Sequence, residues 1–436
     1  MASKSYPAGT GGSWIVVVSA GVAAGLQVWK VPPALPFLRH DLSLSLVQAG
    51  TLLGIVQLAG MLGGLAVSLL AELIGERRCL SGGLVLLFLG SGGGGFAGST
   101  APLLASRAVE GAGFILVAVT GPGLIRRTAP PDRFTTAMGF WGAYQGISTF
   151  AGLVVGALVL QVVSWRVWWW GMAVVALAPL PWVLARVPRD DAGGARGAAA
   201  ALVRIGRTVR APAPWTAGLV FACYTLPWMA VVGFLPTVYR DGGMTGSLPG
   251  VLSAVVGAVN AVGSITTAAL LKRGLAVRAV IVPAFAVMAG TSLPAFAVDW
   301  HGVPSGTTWQ FLCVVAFSLT GGAIPATLLR MIGGLTPTGG SAPATMGLIQ
   351  QLFNAGSFVG PTVAAWLAAR TGGWHSTWWI TCACAATGAV LSLGLRGGTG
   401  AESAGSAKSA MSGVVPGDGR GDRCGGDRRR AGRVRP

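Results

Sequence analysis

Charge is what this sequence has least of. Only 10% of its 436 residues are charged and 53% are hydrophobic, whereas a water-soluble domain carries roughly a quarter charged residues. So few charges cannot clothe a surface in water. Histidine is nearly absent as well: His40, His301 and His375 stand far apart, and no His-Glu-x-x-His pattern occurs. Nor is there a Gly-x-x-x-x-Gly-Lys-Ser/Thr phosphate loop, so hydrolytic and nucleotide-driven chemistry have no visible home and no catalytic residue, cofactor or metal site is expected. The cysteines Cys79, Cys223, Cys313, Cys382, Cys384 and Cys424 lack a Cys-x-x-Cys pair. Five of them fall in or beside apolar stretches, where a thiol is ordinarily a small packing group.

What the chain has in abundance is long apolar runs. Mean hydropathy is +0.67, and runs of about 20 residues, each able to cross ~30 Å of hydrocarbon as a helix, recur from Trp14 to Leu395. Barrel strands alternate and do not give continuous runs, so the spans are helices. Twelve are predicted, at 14 to 38, 46 to 71, 79 to 98, 102 to 125, 136 to 163, 167 to 186, 214 to 239, 248 to 271, 278 to 298, 308 to 332, 343 to 369 and 375 to 395. The first is too long for a cleaved leader and reads as a retained signal anchor. The net charge of +18 would suggest a nucleic-acid partner if it were spread over a soluble surface, which this chain lacks. Instead it gathers in alternate loops. Arg77, Arg78, Arg126, Arg127, Arg133 and the arginines of 186 to 210 lie on one side, against Arg39, Arg166, Arg240 and Arg370 on the other. That asymmetry is the positive-inside pattern, so both termini are expected in the cytoplasm. Arginine far outnumbers lysine in an Ala- and Gly-rich chain, which fits the inner membrane of a bacterium with a GC-rich genome.

The chain reads as two bundles of six helices, 1–186 and 214–395, joined by a polar cytoplasmic linker, 187–213, and followed by a basic, disordered tail, 396–436. The tail run Arg428-Arg429-Arg430 would attract anionic headgroups at about 1 kcal/mol per charge. The halves echo each other. Leu35-Pro36, Asp41, Gly50 and Leu52 recur 200 residues later as Leu235-Pro236, Asp241, Gly250 and Leu252, and Ser164-Trp165 is echoed by Gly373-Trp374. Duplicated halves with a solute held between them near the midplane are a transporter's architecture.

Three stretches carry motifs. Residues 68 to 78 read Ser-Leu-Leu-Ala-Glu-Leu-Ile-Gly-Glu-Arg-Arg, span 4 carries Arg107-Ala-Val-Glu110-Gly-Ala-Gly113, and span 11 carries Gln350-Gln-Leu-Phe-Asn354-Ala-Gly356 up to Gly360-Pro361. The first resembles the loop motif G-x-x-x-D-R-x-G-x-R-R of the major facilitator superfamily, with Glu72, Gly75, Arg77 and Arg78 matching and Ser68 and Leu73 departing. The second resembles that superfamily's R-x-x-x-G-x-G. Span 11, with Thr371-Gly372-Gly373-Trp374 after it, is similar to the cyanate-permease-like group, many of them presumed transporters of small anions. The resemblance implies a bundle with spans 1, 2, 4, 5, 7, 8, 10 and 11 around a cavity and 3, 6, 9 and 12 outside. It also implies that Glu72, Gly75, Arg77 and Arg78 form a cytoplasmic latch onto the start of span 11, at 341 to 343. Span 5 has glycines but no Gly-Pro pair, which counts against a drug:proton antiporter.

Charges within the spans pick out the candidate site. Arg107 in a span is expensive, ~2.5 kcal/mol or more, unless it faces a cavity or partner. Glu110, one turn away, is the one acid well inside a span and the candidate carrier of a coupling proton. Lys30 stands before Pro32-Pro33, where prolines remove backbone donors; it either binds solute or snorkels to the surface. Gln350 and Asn354 share a helix face, and Tyr224 lies on span 7; each either contacts solute or packs. Trp14, the run Trp168 to Trp170, Trp378 and Trp379 are expected in interfacial belts. Lys30 and Arg107 against Glu110 leave one positive charge, which a monovalent anion would neutralise. The reading is therefore a proton-coupled permease or symporter for a small anion. Export of apolar or cationic compounds and a sensor on the same fold remain alternatives.

Overall fold

The computed structural model describes residues 12–130, 132–190, 198–298, 300 and 303–395, and every regular element among them is helical. The predicted tail, 396–436, lies outside the described residues. Among the described residues, eleven helices are long and apolar enough to span a bilayer: span 1 Ser13–Asp41, span 2 Leu46–Val67, span 4 Thr100–Thr128, span 5 Thr136–Val159, span 6 Trp165–Arg186, span 7 Pro212–Asp241, span 8 Leu248–Leu271, span 9 Val277–Ala297, span 10 Gly306–Arg330, span 11 Ala344–Thr371 and span 12 Trp374–Leu393. The remaining predicted one, span 3, is the helix Glu76–Gly94. Its first turn holds Glu76, Arg77 and Arg78 and its last is glycine, which lowers its apolarity. A further helix, Ala198–Arg210, lies in the linker between spans 6 and 7.

Local chemistry sets several of these boundaries. Span 2 starts with a capping box: the Gln48 amide donates to Ser45 Oγ at 3.2 Å and the Ser45 amide to Gln48 Oε1 at 2.9 Å, answering donors that a helix start leaves open. Span 1 is two helices, Ser13–Trp29 and Val31–Asp41, meeting at Lys30, because Pro32 and Pro33 are tolerated in the first turn of a new helix and not within one. Span 2 passes through a short 3-10 turn at Ile55–Gln57, a tightening often found at hinges.

The two halves meet along spans 2 and 11 and along spans 5 and 8, all among the helices expected around the cavity. Close approach is built from small residues. A Cβ on Gly54 would fall on the Phe358 carbonyl and one on Gly60 on the Asn354 side chain, so larger residues would push the helices apart. At the end of the bundle away from the linker, the internal repeat appears as geometry. Asp41 Oδ2 accepts from Trp165 Nε1 at 2.9 Å, and Asp241 Oδ2 accepts from Trp374 Nε1 at 3.1 Å. Each bond ties the last residue of the first span in its half to the start of the sixth.

Candidate functional site

The site grows out of the break at Lys30. Its side chain is fully buried, and Nζ donates to Glu110 Oε1 at 2.7 Å, Ser91 Oγ at 2.8 Å and Gln27 Oε1 at 2.9 Å. Three donors meet three acceptors, so Lys30 does not snorkel. From the same helix face as Glu110, Arg107 pairs with Glu110 Oε2 through Nη1, which also donates to the Gln27 carbonyl at 2.7 Å. Lys30, Arg107 and Glu110 are each 0% exposed. Desolvation makes such ions costly unless paired, and one carboxylate is shared between two cations. By formal charge the cluster sums to one positive, and Arg107 Nε and Nη2 are buried without a partner.

Neighbouring spans close the cluster off. Trp169 lays its ring 4.7 Å from Lys30 Nζ, a cation–π contact, and Trp168 Nε1 donates to the Lys30 carbonyl at 3.0 Å. This corrects their assignment to an interfacial belt: Trp168 and Trp169 are buried lids over the charges, and Trp14 is buried as well, while Trp379 is exposed. Span 4 comes near enough because Gly111 has its Cα against the Val56 carbonyl, where any Cβ would collide. Gln27 and Ser91 went unrecognised in the sequence. Gln27 carried a signal, one turn before Lys30 on the same face; Ser91 carried none.

Across the seam the second half is polar but uncharged. Tyr224 is buried, and its hydroxyl donates to Asn260 Oδ1 at 3.2 Å, while Asn260 Nδ2 donates to the Ser318 carbonyl at 2.7 Å. Trp228 Nε1 donates to Ser318 Oγ at 3.2 Å and its ring meets Trp29 edge-on at 5.5 Å. Trp29 precedes Lys30, so this aromatic contact joins the charged half to the neutral one. Asn354 is fully buried against span 2, with both amide atoms unpartnered. Gln57 Oε1 in the 3-10 turn is unpartnered too. Unmet buried polar groups cost about 1–3 kcal/mol each, which is the cost a solute or water between the halves would relieve. Gln350 is half-buried and falls outside the cluster around Lys30, as do Tyr224 and Asn354.

The latch residues are placed differently from expectation. The Glu72 side chain lies outside those described. Gly75 adopts φ +98°, and a Cβ there would strike Asp190, so glycine is required on both counts. The amides of Arg77 and Arg78 donate to the two carboxylate oxygens of Asp190 at 3.2 and 3.1 Å, Arg127 pairs with Asp190 at 3.0 Å, and Arg77 Nη2 reaches the Leu184 carbonyl at 2.5 Å. Asp190 thus caps span 3 from the start of the linker, as a carboxylate suits a helix N-terminus. Burial pushes its carboxyl up, but the two amides and Arg127 outweigh burial and hold it below its ordinary 3.8. The start of span 11 is met by the linker helix instead: the Ser341 amide donates to Thr208 Oγ1 at 3.0 Å. The contacts of Arg77 and Arg78 therefore do not reach the expected partner.

Comparison with known proteins agrees with this architecture. The Major Facilitator Superfamily profile matches residues 17–301. The tetracenomycin C resistance and export protein of Streptomyces glaucescens is 31% identical over 172 residues, 38% of this chain and 31% of that one. The cyanate transport protein CynX of Escherichia coli (strain K12) is 27% identical over 262 residues, 59% of this chain and 66% of that one. The chain thus spans about a third of the exporter's length and about two thirds of the cyanate transporter's. A D-xylose-proton symporter crystal structure superposes with a TM-score of 0.68 at 16% identity, covering 86% of this chain and 95% of the symporter, a likeness of fold. This multi-pass membrane protein, with eleven candidate spanning helices among its described residues, belongs to the Major Facilitator Superfamily.

Proposed function

We propose that the protein is a proton-coupled transporter of a small anion, working by alternating access across a bacterial plasma membrane with the linker in the cytoplasm. The observation that carries this reading is the buried Lys30–Glu110–Arg107 cluster, with a formal excess of one positive charge and two guanidinium nitrogens without acceptors. An anion arriving between the halves answers both deficits. Glu110 carries the proton: protonating it frees Lys30 and Arg107 for the anion, and the anion's departure returns them to the carboxylate. Asn354 and Tyr224 meet the uncharged part of the solute from the second half, with Gln350 beside them. Glu72, Gly75, Arg77 and Arg78 bias the closed state at the linker end through Asp190. The relative named as a cyanate transporter supports an anionic cargo.

Export of an apolar or cationic compound is the second reading. It is favoured by the layer of Trp29, Trp228, Tyr224, Phe221 and Phe353 at the seam and by the tetracenomycin exporter among the relatives. Counterflow in proteoliposomes separates the two. Vesicles preloaded with cyanate or a small carboxylate should accumulate labelled anion, and those preloaded with a lipophilic cation should not accumulate labelled cation; the reverse pattern would establish the second reading.

A further inference from the structure

A second basic site lies at the end of the bundle away from the linker, apart from the buried cluster. A cavity of about 470 Å³ opens there between spans 1 and 7, and Arg39, His40 and Ser43 from one half and Thr237, Arg240 and Asp241 from the other line it. Two of its donors lack acceptors. Arg39 Nε is buried and unpartnered, and Thr237 is 3% exposed with its hydroxyl equally unpartnered. Arg240 leans across the seam, its guanidinium 5.1 Å from the Phe37 ring, so cations from both halves converge on one space. Of the acids nearby, Asp241 lines the cavity and accepts from Trp374, and Asp41 accepts from Trp165 and lies 3.3 Å from His40, so the lining arginines exceed the lining carboxylate by one charge. Two guanidinium groups, one with a buried Nε that has no acceptor, and an unpartnered hydroxyl match a small monoanion, a carboxylate for instance, because charge-assisted bonds to such a group are the strongest these donors can make.

We infer that this cavity is an anion site that exists only while the far ends of the two halves are together, so that its occupant holds that side shut. Arg39 ends span 1, and Thr237 and Arg240 end span 7. Beside them Leu53 packs on Gly233 and Ala157 on Gly250, closing the far side. Opening that side would separate the donors. A ligand that binds one state and not the other shifts the population by its differential affinity, so an anion here opposes opening, whatever the buried cluster binds. The effect on opening rests on the alternating-access reading; binding does not depend on which solute is carried.

The test is a distance measurement across the far side. Spin labels are placed at Val162 and Leu248, exposed positions on opposite halves, in the full chain reconstituted in nanodiscs with its native cysteines replaced. Titrating benzoate should enrich the short-distance population. Arg39→Gln/Arg240→Gln should raise the midpoint roughly tenfold or more, the loss of about one charge-assisted contact, and the near-isosteric Thr237→Val should raise it severalfold. Arg370→Gln, at an exposed cation on the same side but outside the cavity, should leave it unchanged. No response in the wild-type chain, a response untouched by Arg39→Gln/Arg240→Gln, or one abolished by Arg107→Gln alone would each overturn the site. The last outcome would place the anion at the buried cluster and leave the transport reading standing.

Discussion

Two cations share one carboxylate in the core of the first half, and the behaviour of each can be predicted from what it loses. Glu110→Gln leaves Lys30 and Arg107 buried with a neutral partner. It should abolish pH-driven accumulation but preserve exchange of substrate down its own gradient, since exchange moves no net proton; uptake measured with and without an imposed pH gradient distinguishes these. Arg107→Ala should harm both and cost ~3 kcal/mol or more of stability, the usual cost of breaking a buried pair, read from the thermal midpoint of purified protein. Should Arg107 and Glu110 serve only to neutralise each other, the double neutral variant would recover stability and keep proton-driven accumulation. The Arg107–Glu110 pair was legible because i,i+3 spacing on a helix is local information. The bond from Lys30 to Glu110 spans 80 residues, and no periodicity reveals it; only the cost of a bare lysine in a span hinted that a partner existed. Asn354 was legible as a polar residue one turn from Gln350 on the same face of an apolar span, though not its unpartnered state.

The helices themselves were largely written in the apolar runs, because hydrocarbon leaves a backbone no other way to satisfy its own donors. The 200-residue echo likewise foretold a shared geometry, and the two aspartate-to-tryptophan ties are its physical content. What stayed hidden is which elements touch at the linker end. Asp190 looked like one acid in a polar linker, yet it caps span 3 and replaces the expected partner of Arg77 and Arg78. Its consequence can be measured. With a folded pKa below the unfolded one, Asp190 adds stability that is fully present above about pH 4, the unfolded value, and that is shed as pH falls through the lower folded value. Asp190→Asn should lower the thermal midpoint at pH 6 to 7, with the gap to wild type closing in strong acid. Gly75→Ala should destabilise at every pH, by about 1–3 kcal/mol, since positive φ and the Asp190 contact oppose any Cβ.

At the scale of the whole molecule, asymmetry of charge is what the proposed orientation rests on, and asymmetry between the halves is what the proposed function rests on. One half holds the buried ions and the other a neutral polar and aromatic surface, and the Trp29–Trp228 contact lies where they meet. Single cysteines in the linker helix should be shielded from an impermeant thiol reagent applied outside intact cells, and one at Leu248 should be labelled; the opposite pattern would invert the topology. The claim on which everything else rests is that anion and proton move together through Glu110. It is tested by recording internal pH in proteoliposomes as small anions are presented outside, starting with cyanate and monocarboxylates. The account predicts anion-dependent acidification of the lumen by the wild-type chain and none by Glu110→Gln; acidification that persists undiminished in Glu110→Gln would contradict it.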